Sequence, residues 1–577
     1  MSQKTYLLIL KTGIYLSFFS VFFVFKNLLF PYITSKQIYF NILIEILAVF
    51  WLLFILKFPD WKPKMSWLTN SIIFFFGGVV LLTTFTSVDF NLSFWGDVER
   101  MLGFFHIAHF LVFYLIVITV FRTREDWNNL FLVSVAAAIL VSLYGVAQHF
   151  ELVKSPTGPG RIISTIGNAA YVGAYAIFNI YFAFILITKE RSVVLKVVYG
   201  IAAIIIFFAL FWSGTRGAYI GFVLSIIILT LISALLNSNK KIKVYSSAIF
   251  LLLILVGSVL MINRGNAMIK NNPYLYRLTH ISLEDNTMQT RLISWKAAWL
   301  DFKAHPFLGT GYGNYAITFD KYFDAKFFDY ARGETYFDRA HNNLIDIFST
   351  MGLLGITSYL AIFVIAMYYL IRAFRSGKAD LADFALITSL LVAYFVQNML
   401  VFDSMVTYVA LMLVFGYIFW ISSEDKNVKY RDEEIMTPAK IYVLSVGCVI
   451  VALSLFYGNL RPWGMLVKTI EAQAAWSQRS DLVETVKIYK EALKHDTVLD
   501  RDSRTTLIRV VGGNNYLLSR LKKEDSAEIL RYTIEMAEKN VAYNPADSMS
   551  QMMLAQVYNT AAVHFREDAI KSQEYSN

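Results

Sequence analysis

Thirteen apolar runs succeed one another along this chain and leave its first 458 residues little else to become than a membrane bundle. About 20 apolar residues cross the hydrocarbon core of a bilayer. The runs lie at roughly 5–25, 38–57, 67–87, 103–121, 128–149, 169–188, 194–212, 216–236, 244–262, 342–371, 380–402, 405–422 and 440–458. Hydrocarbon offers backbone groups no partner, so runs of this length fold as helices that satisfy their own N–H and C=O groups. The expected fold class is all-α: a polytopic membrane helical bundle of about 12–13 spans, with a large extracytoplasmic loop and a soluble helical-repeat tail.

Of the 577 residues, 57% are hydrophobic and only 16% charged, too apolar for a soluble multidomain protein. The formal charge of +10 raises the possibility of nucleic acid, but the positive charges collect in short connections between runs. Lys57, Lys62 and Lys64, then Arg122 and Arg124, then Lys189, Arg191 and Lys196 fall in even-numbered connections. So do Lys240, Lys241 and Lys243, then Arg372, Arg375 and Lys378, and finally Lys426, Lys429 and Arg431. Basic loops stay on the cytoplasmic side, which sets the N-terminus inside and the odd connections outside, with no nucleic-acid partner. The first run has no small-residue cleavage site after it and reads as a span rather than a cleaved signal. The single cysteine, Cys448, allows no intrachain disulfide.

Four units follow: spans 1–9 over residues 1–262, a loop over 263–340, spans 10–13 over 341–458 and a tail over 459–577. The loop is aromatic and too long for a plain linker, so an ordered cap is expected. In the tail, Leu482–Leu493 and Ser526–Val541 carry apolar residues at helical spacing and resemble degenerate tetratricopeptide helix pairs. Its end, Ile570–Asn577, reads as a helix still running, so the array is expected to be incomplete.

The candidate chemistry sits at the outward ends of the spans. Arg100 precedes the fourth span, Arg161 precedes the sixth, Arg216 lies in the tight Ser213–Gly217 turn, Arg291 lies in the long loop and His341 opens the tenth span. A lone interfacial arginine ordinarily snorkels to the headgroups. Arg216 has no room to do so and needs an anion or a carboxylate partner. Several outward guanidiniums suit a pyrophosphate, which each can bind through two oxygens. Gly352 and Gly355 stand eleven and fourteen residues after His341, near three and four helical turns, so all three are expected on one helix face. The glycines would admit a neighbouring helix, and the near-neutral histidine at the tip could act as a general base. Gly309–Gly313 reads as a turn cluster, Asp500-Arg501-Asp502 as a helix cap, and no cysteine–histidine metal set is present.

These residues resemble the O-antigen ligase/polymerase superfamily of bacterial membrane glycosyltransferases. The signature His-Asn, nine residues, Gly-x-x-Gly is matched by His341, Asn342, Gly352 and Gly355. Ser213–Gly217 is similar to the family's Ser/Thr-Arg-Gly turn, Arg161–Asn168 to its Arg-x-x-x-Thr-x-Gly-Asn segment, and Arg291 with His305–Asn314 to the stretch leading to the histidine. The resemblance implies a metal-independent, inverting transfer with no cofactor, from a glycan on undecaprenyl pyrophosphate at the outer face of the bacterial cytoplasmic membrane. It implies catalytic roles for His341, Arg216 and Arg291, substrate contacts from Arg161 and Asn342, and structural roles for Gly352 and Gly355. Arg100 joins the substrate contacts from its sidedness alone. The partners are then a lipid-linked glycan donor, an acceptor lipid, protein or glycan, membrane lipid, and a possible protein partner on the helical tail. Ligase, polymerase and protein O-oligosaccharyltransferase stay open, differing in acceptor. A lipid-linked glycan flippase would want internal symmetry and charges along a central path, and neither is visible.

Overall fold

The computed structural model describes the chain except residues 64, 159, 281, 334–335, 424–433 and 563–577. Lys64, Lys426, Lys429, Arg431 and the segment Ile570–Asn577 therefore lie outside the described residues. The described residues are helical, with no strand. Twelve helices are long and apolar enough to cross a membrane, and with the shorter apolar helix Phe104–Val120 they make the thirteen expected. The chain is a multi-pass membrane protein.

The even connections meet at one end of the bundle. Lys189 Nζ lies 2.5 Å from Asp380 and 2.9 Å from Asp383, and Arg124 reaches Asp383 at 3.4 Å. The buried Tyr417 hydroxyl donates to the same Asp383 carboxylate at 2.6 Å. Three even connections and the foot of the twelfth span thus share one ionic knot. Asp383 is almost wholly buried, and only paired cations make that tolerable.

The tenth span departs from the expected geometry. It runs Asn343–Arg375, but Gly352 has φ 61° and ψ −158° and breaks it into two helical pieces. His341, with φ 51°, precedes the helix and is not part of it. The three residues therefore do not share a helix face. The break is filled by the loop stretch Pro306–Gly311, whose carbonyls take the freed amides: Leu353 N–H donates to Pro306 O at 2.8 Å and Leu354 N–H to Phe307 O at 3.2 Å. Gly311 N–H returns a bond to Thr350 O at 2.8 Å. A Cβ at position 352 would stand 2.4 Å from the Phe307 carbonyl carbon, so only glycine fits. A Cβ at Gly355 would first meet Met351 and Ile347, on the helical piece before the break.

The last span also differs. Pro438–Arg479 is one 42-residue helix, so nothing separates span from tail near residue 459. A π-helical turn, Ser454–Leu460, sits inside it. There Asn459 donates to Glu45 Oε1 at 2.9 Å, the Ser454 hydroxyl donates to the same oxygen, and His109 Nε2 lies 3.1 Å from it. The π-turn re-aims these side chains toward the second and fourth spans and ties the long helix to the bundle.

The 263–340 connection holds the helices Ala267–Lys270, Pro273–Thr279, Asn286–Ala304 and Tyr315–Lys321. Beyond Arg479, the helices Leu482–Leu493, Asp500–Gly512, Lys523–Tyr543 and Ser548–Ala562 pack around Leu482, Tyr489, Leu507 and Leu530.

Candidate active site

Two loop motifs interlock at the ends of the spans opposite the Asp383 knot. The Ser213–Gly217 turn joins the helices Val193–Trp212 and Arg216–Leu236. Gly214 has φ 59°, and a Cβ there would lie 3.1 Å from Arg161 Cγ. The glycine thus lets Arg161 lie across the turn, donating through Nε to Ser213 O at 2.8 Å and through Nη2 to Thr215 Oγ1 at 2.9 Å. Arg216 opens the next helix. Its Nη1 is 2.7 Å from Asp285 and its Nη2 donates to His280 O at 3.2 Å, while its Nε is buried without a partner among the described residues. The carboxylate that the sequence demanded for Arg216 is therefore Asp285, on the loop entering the helix Asn286–Ala304.

Arg291 projects from that same helix, and no described carboxylate or carbonyl pairs with it. Burial, then the neighbouring Arg216, lowers its guanidinium from the ordinary value. Burial, then Arg277, does the same to Arg161. Guanidiniums crowded together in a half-dry space call for an anion, which would relieve both the desolvation and the repulsion.

His341 is fixed by three contacts. Its Nδ1 lies 3.1 Å from Arg339 O, and its ring stands 5.0 Å from Phe337 and 5.4 Å from Phe402, edge-on to the latter. A carbonyl accepts, so Nδ1 carries the hydrogen and Nε2 keeps its lone pair. Burial, then Arg291, holds the imidazole below the usual histidine range, so it is neutral at neutral pH. Asn342 caps the helix, its Oδ1 accepting from Leu344 N–H at 3.0 Å and Ile345 N–H at 3.3 Å.

One cavity of ≈ 720 Å³ gathers most of these residues: Arg100, Arg161, Arg216, Arg291 and His341 all line it. Asn342, Gly352 and Gly355 do not. None of the lining residues is acidic. Arg100 sits over the Phe402 ring at 5.1 Å, on the ring that also backs His341, and is held by Asp338 at 2.7 Å and Glu99 at 3.0 Å. Lys270 and Arg277 line the cavity too and were missed in the sequence, because they follow the ninth span without a recognisable motif. Their signal was sidedness, the same that found Arg100. Asp500-Arg501-Asp502 does not cap its helix: the capping position is Leu499, without a side-chain bond, and the three side chains engage other groups. Arg501 pairs with Asp89 at 2.7 Å, and Asp502 accepts from Val98 N–H at 3.1 Å.

Comparison with known proteins gives one family. Residues 201–360 match the family model described as O-antigen ligase. The match contains Arg216, Arg291, His341, Gly352 and Gly355. No curated protein matches the chain.

Proposed function

Since the stretch 201–360 makes this chain a member of the O-antigen ligase superfamily, an enzyme of the ligase/polymerase kind that moves a lipid-linked glycan to an acceptor, we propose how its cavity performs the transfer. The donor is a glycan on undecaprenyl pyrophosphate, entering from the membrane on the outer face. Arg216 and Arg291 bind the pyrophosphate beside His341, and Arg161 binds it farther along the cavity. His341 Nε2 takes the proton of the acceptor hydroxyl. The oxygen attacks the anomeric carbon, the carbon–oxygen bond to phosphate breaks with its electron pair, and the configuration inverts. The guanidiniums supply counter-charge as the pyrophosphate departs, the kind of preorganised electrostatics that dominates group transfer. Arg100 steadies the wall between the two substrates.

The observation that carries this reading is the single cavity where Arg161, Arg216, Arg291 and His341 meet with no acidic lining residue. A flippase would need a polar path through the bundle, whereas these cations gather at one end. The test is purified protein in vesicles with a labelled undecaprenyl-pyrophosphate glycan. Release of undecaprenyl pyrophosphate and movement of the label to a lipid, protein or glycan acceptor support the reading. Transbilayer movement of the intact donor without bond cleavage contradicts it.

A further inference from the structure

A second cavity, of ≈ 260 Å³, lies where the tail meets the bundle. Arg100 lines it as well as the first cavity, so the two share a wall. Their linings differ. No acidic residue lines the first, while six carboxylates, among them Asp89, Asp97 and Asp502, line the second beside four guanidiniums, among them Arg501 and Arg509. Paired charges of both signs suit a neutral, polar ligand better than an anionic donor. Threonine and serine hydroxyls, the Asn544 amide and the Tyr312 and Tyr336 rings complete the second lining. Carboxylates, amides and guanidiniums at close quarters bind vicinal hydroxyls in pairs, and an aromatic ring takes the C–H face of a sugar.

The tail supplies ten of the 27 residues that line this cavity. Arg501 anchors through Nη1 to Asp89, but its Nε and Nη2 are buried with no hydrogen-bond partner among the described residues. Buried donors left unpaired are costly and point to an absent acceptor. The cavity falls just under the roughly 300–1,000 Å³ of ordinary small-molecule sites, room for the end of a glycan and not for a folded protein.

We propose that the cavity between tail and bundle is the acceptor subsite, and that it takes the neutral, hydroxyl-rich end of a glycan, presenting one hydroxyl past Arg100 to His341. The inference rests on the transfer reading and names the acceptor class it leaves open. Asp502 suits the role: burial, then Asp97, pushes its carboxyl well above the usual carboxylate range, which favours a proton there that it can donate to a sugar oxygen.

The test uses the full chain in detergent and saturation-transfer NMR with methyl glycosides of neutral hexoses and N-acetylhexosamines. Transfer of saturation to a glycoside, weakened about tenfold or more in both Arg501→Gln and Arg509→Ala, supports the site. Ser548→Ala removes a tail-to-loop hydrogen bond, to Asp320, that lies outside the cavity lining, so it retains glycoside binding. If Ser548→Ala loses binding as fully as Arg501→Gln, tail docking is the cause and the subsite is overturned. No glycoside binding to the wild type overturns it too. Arg291→Lys separates the two readings: it weakens binding of inorganic pyrophosphate and leaves the glycoside bound. Pyrophosphate binding indifferent to Arg291→Lys instead indicts the donor cavity, whatever the glycoside does.

Discussion

Arg216 and Asp285 form an ion pair of 2.7 Å at the edge of a cavity whose other guanidiniums, Arg161 and Arg291, have no carboxylate among the described residues. Asp285 therefore stands where a phosphate oxygen of the donor would compete for the same Nη1. The carboxylate holds Arg216 in place when the cavity lacks its anion and yields or shares it when the donor arrives. Asp285→Asn removes that competition. The expected result is a donor KM lowered several-fold, with inorganic pyrophosphate a stronger inhibitor by a similar factor. A raised donor KM would make Asp285 a positioning residue and not a competitor.

Arg216→Lys is the complementary change. Lysine keeps the charge but cannot hold Asp285, His280 O and a phosphate with one planar fork. We expect kcat/KM to fall roughly 10- to 100-fold, about 1.4–2.7 kcal/mol. Wild-type kinetics would reduce Arg216 to an interfacial anchor.

The pH–rate profile reports on His341. The group acts neutral, and burial with Arg291 has lowered its pKa in the folded protein. Activity is thus present above that lowered value and lost as pH falls through it, so the acidic limb lies below the ordinary histidine value of about 6.5. Arg291→Gln removes the neighbouring charge and moves the limb upward, toward 6.5, besides weakening donor binding. A limb unmoved by Arg291→Gln would leave burial as the whole cause.

Gly352 predicts a stability effect separate from chemistry. Its φ of 61° with ψ of −158° belongs to a region nearly exclusive to glycine, and a Cβ would strike the Phe307 backbone. Gly352→Ala should cost about 2–5 kcal/mol from strain and overpacking together, read as a lower midpoint in thermal unfolding in detergent. Gly377, also at positive φ (72°) but with open space around its would-be Cβ, should cost less on the same substitution.

How much of this was legible in the sequence follows from the physics of each part. The spans were, because a continuous apolar run of about 20 residues matches a helix across the hydrocarbon and is too long for a barrel strand. The alternation of basic connections was legible for the same reason, and the Lys189, Arg124 and Asp383 knot brings three even connections together. The meeting of Arg161, Arg216, Arg291 and His341 was legible because the alternation of basic connections put all four at one end of the spans and the motifs of the resemblance named them together. The break at Gly352 was not. A glycine inside an apolar run reads as a packing contact between helices, and nothing local says that a loop residue 45 positions earlier, Phe307, will occupy the space. The docking of Asp500-Arg501-Asp502 was hidden likewise, since its partners Asp89 and Val98 lie some 400 residues away. Lys270 and Arg277 had the right sidedness but no motif, and their place in the cavity depends on how the loop helices fold back.

The central claim is that His341 Nε2 accepts the proton of the incoming hydroxyl. Its most direct measurement is label transfer from a lipid-linked donor by His341→Ala in vesicles, alongside binding of inorganic pyrophosphate by the same preparation. We predict transfer reduced to background, a loss of at least about a hundredfold, with pyrophosphate binding kept near the wild-type level. Transfer at the wild-type rate by His341→Ala would contradict the account.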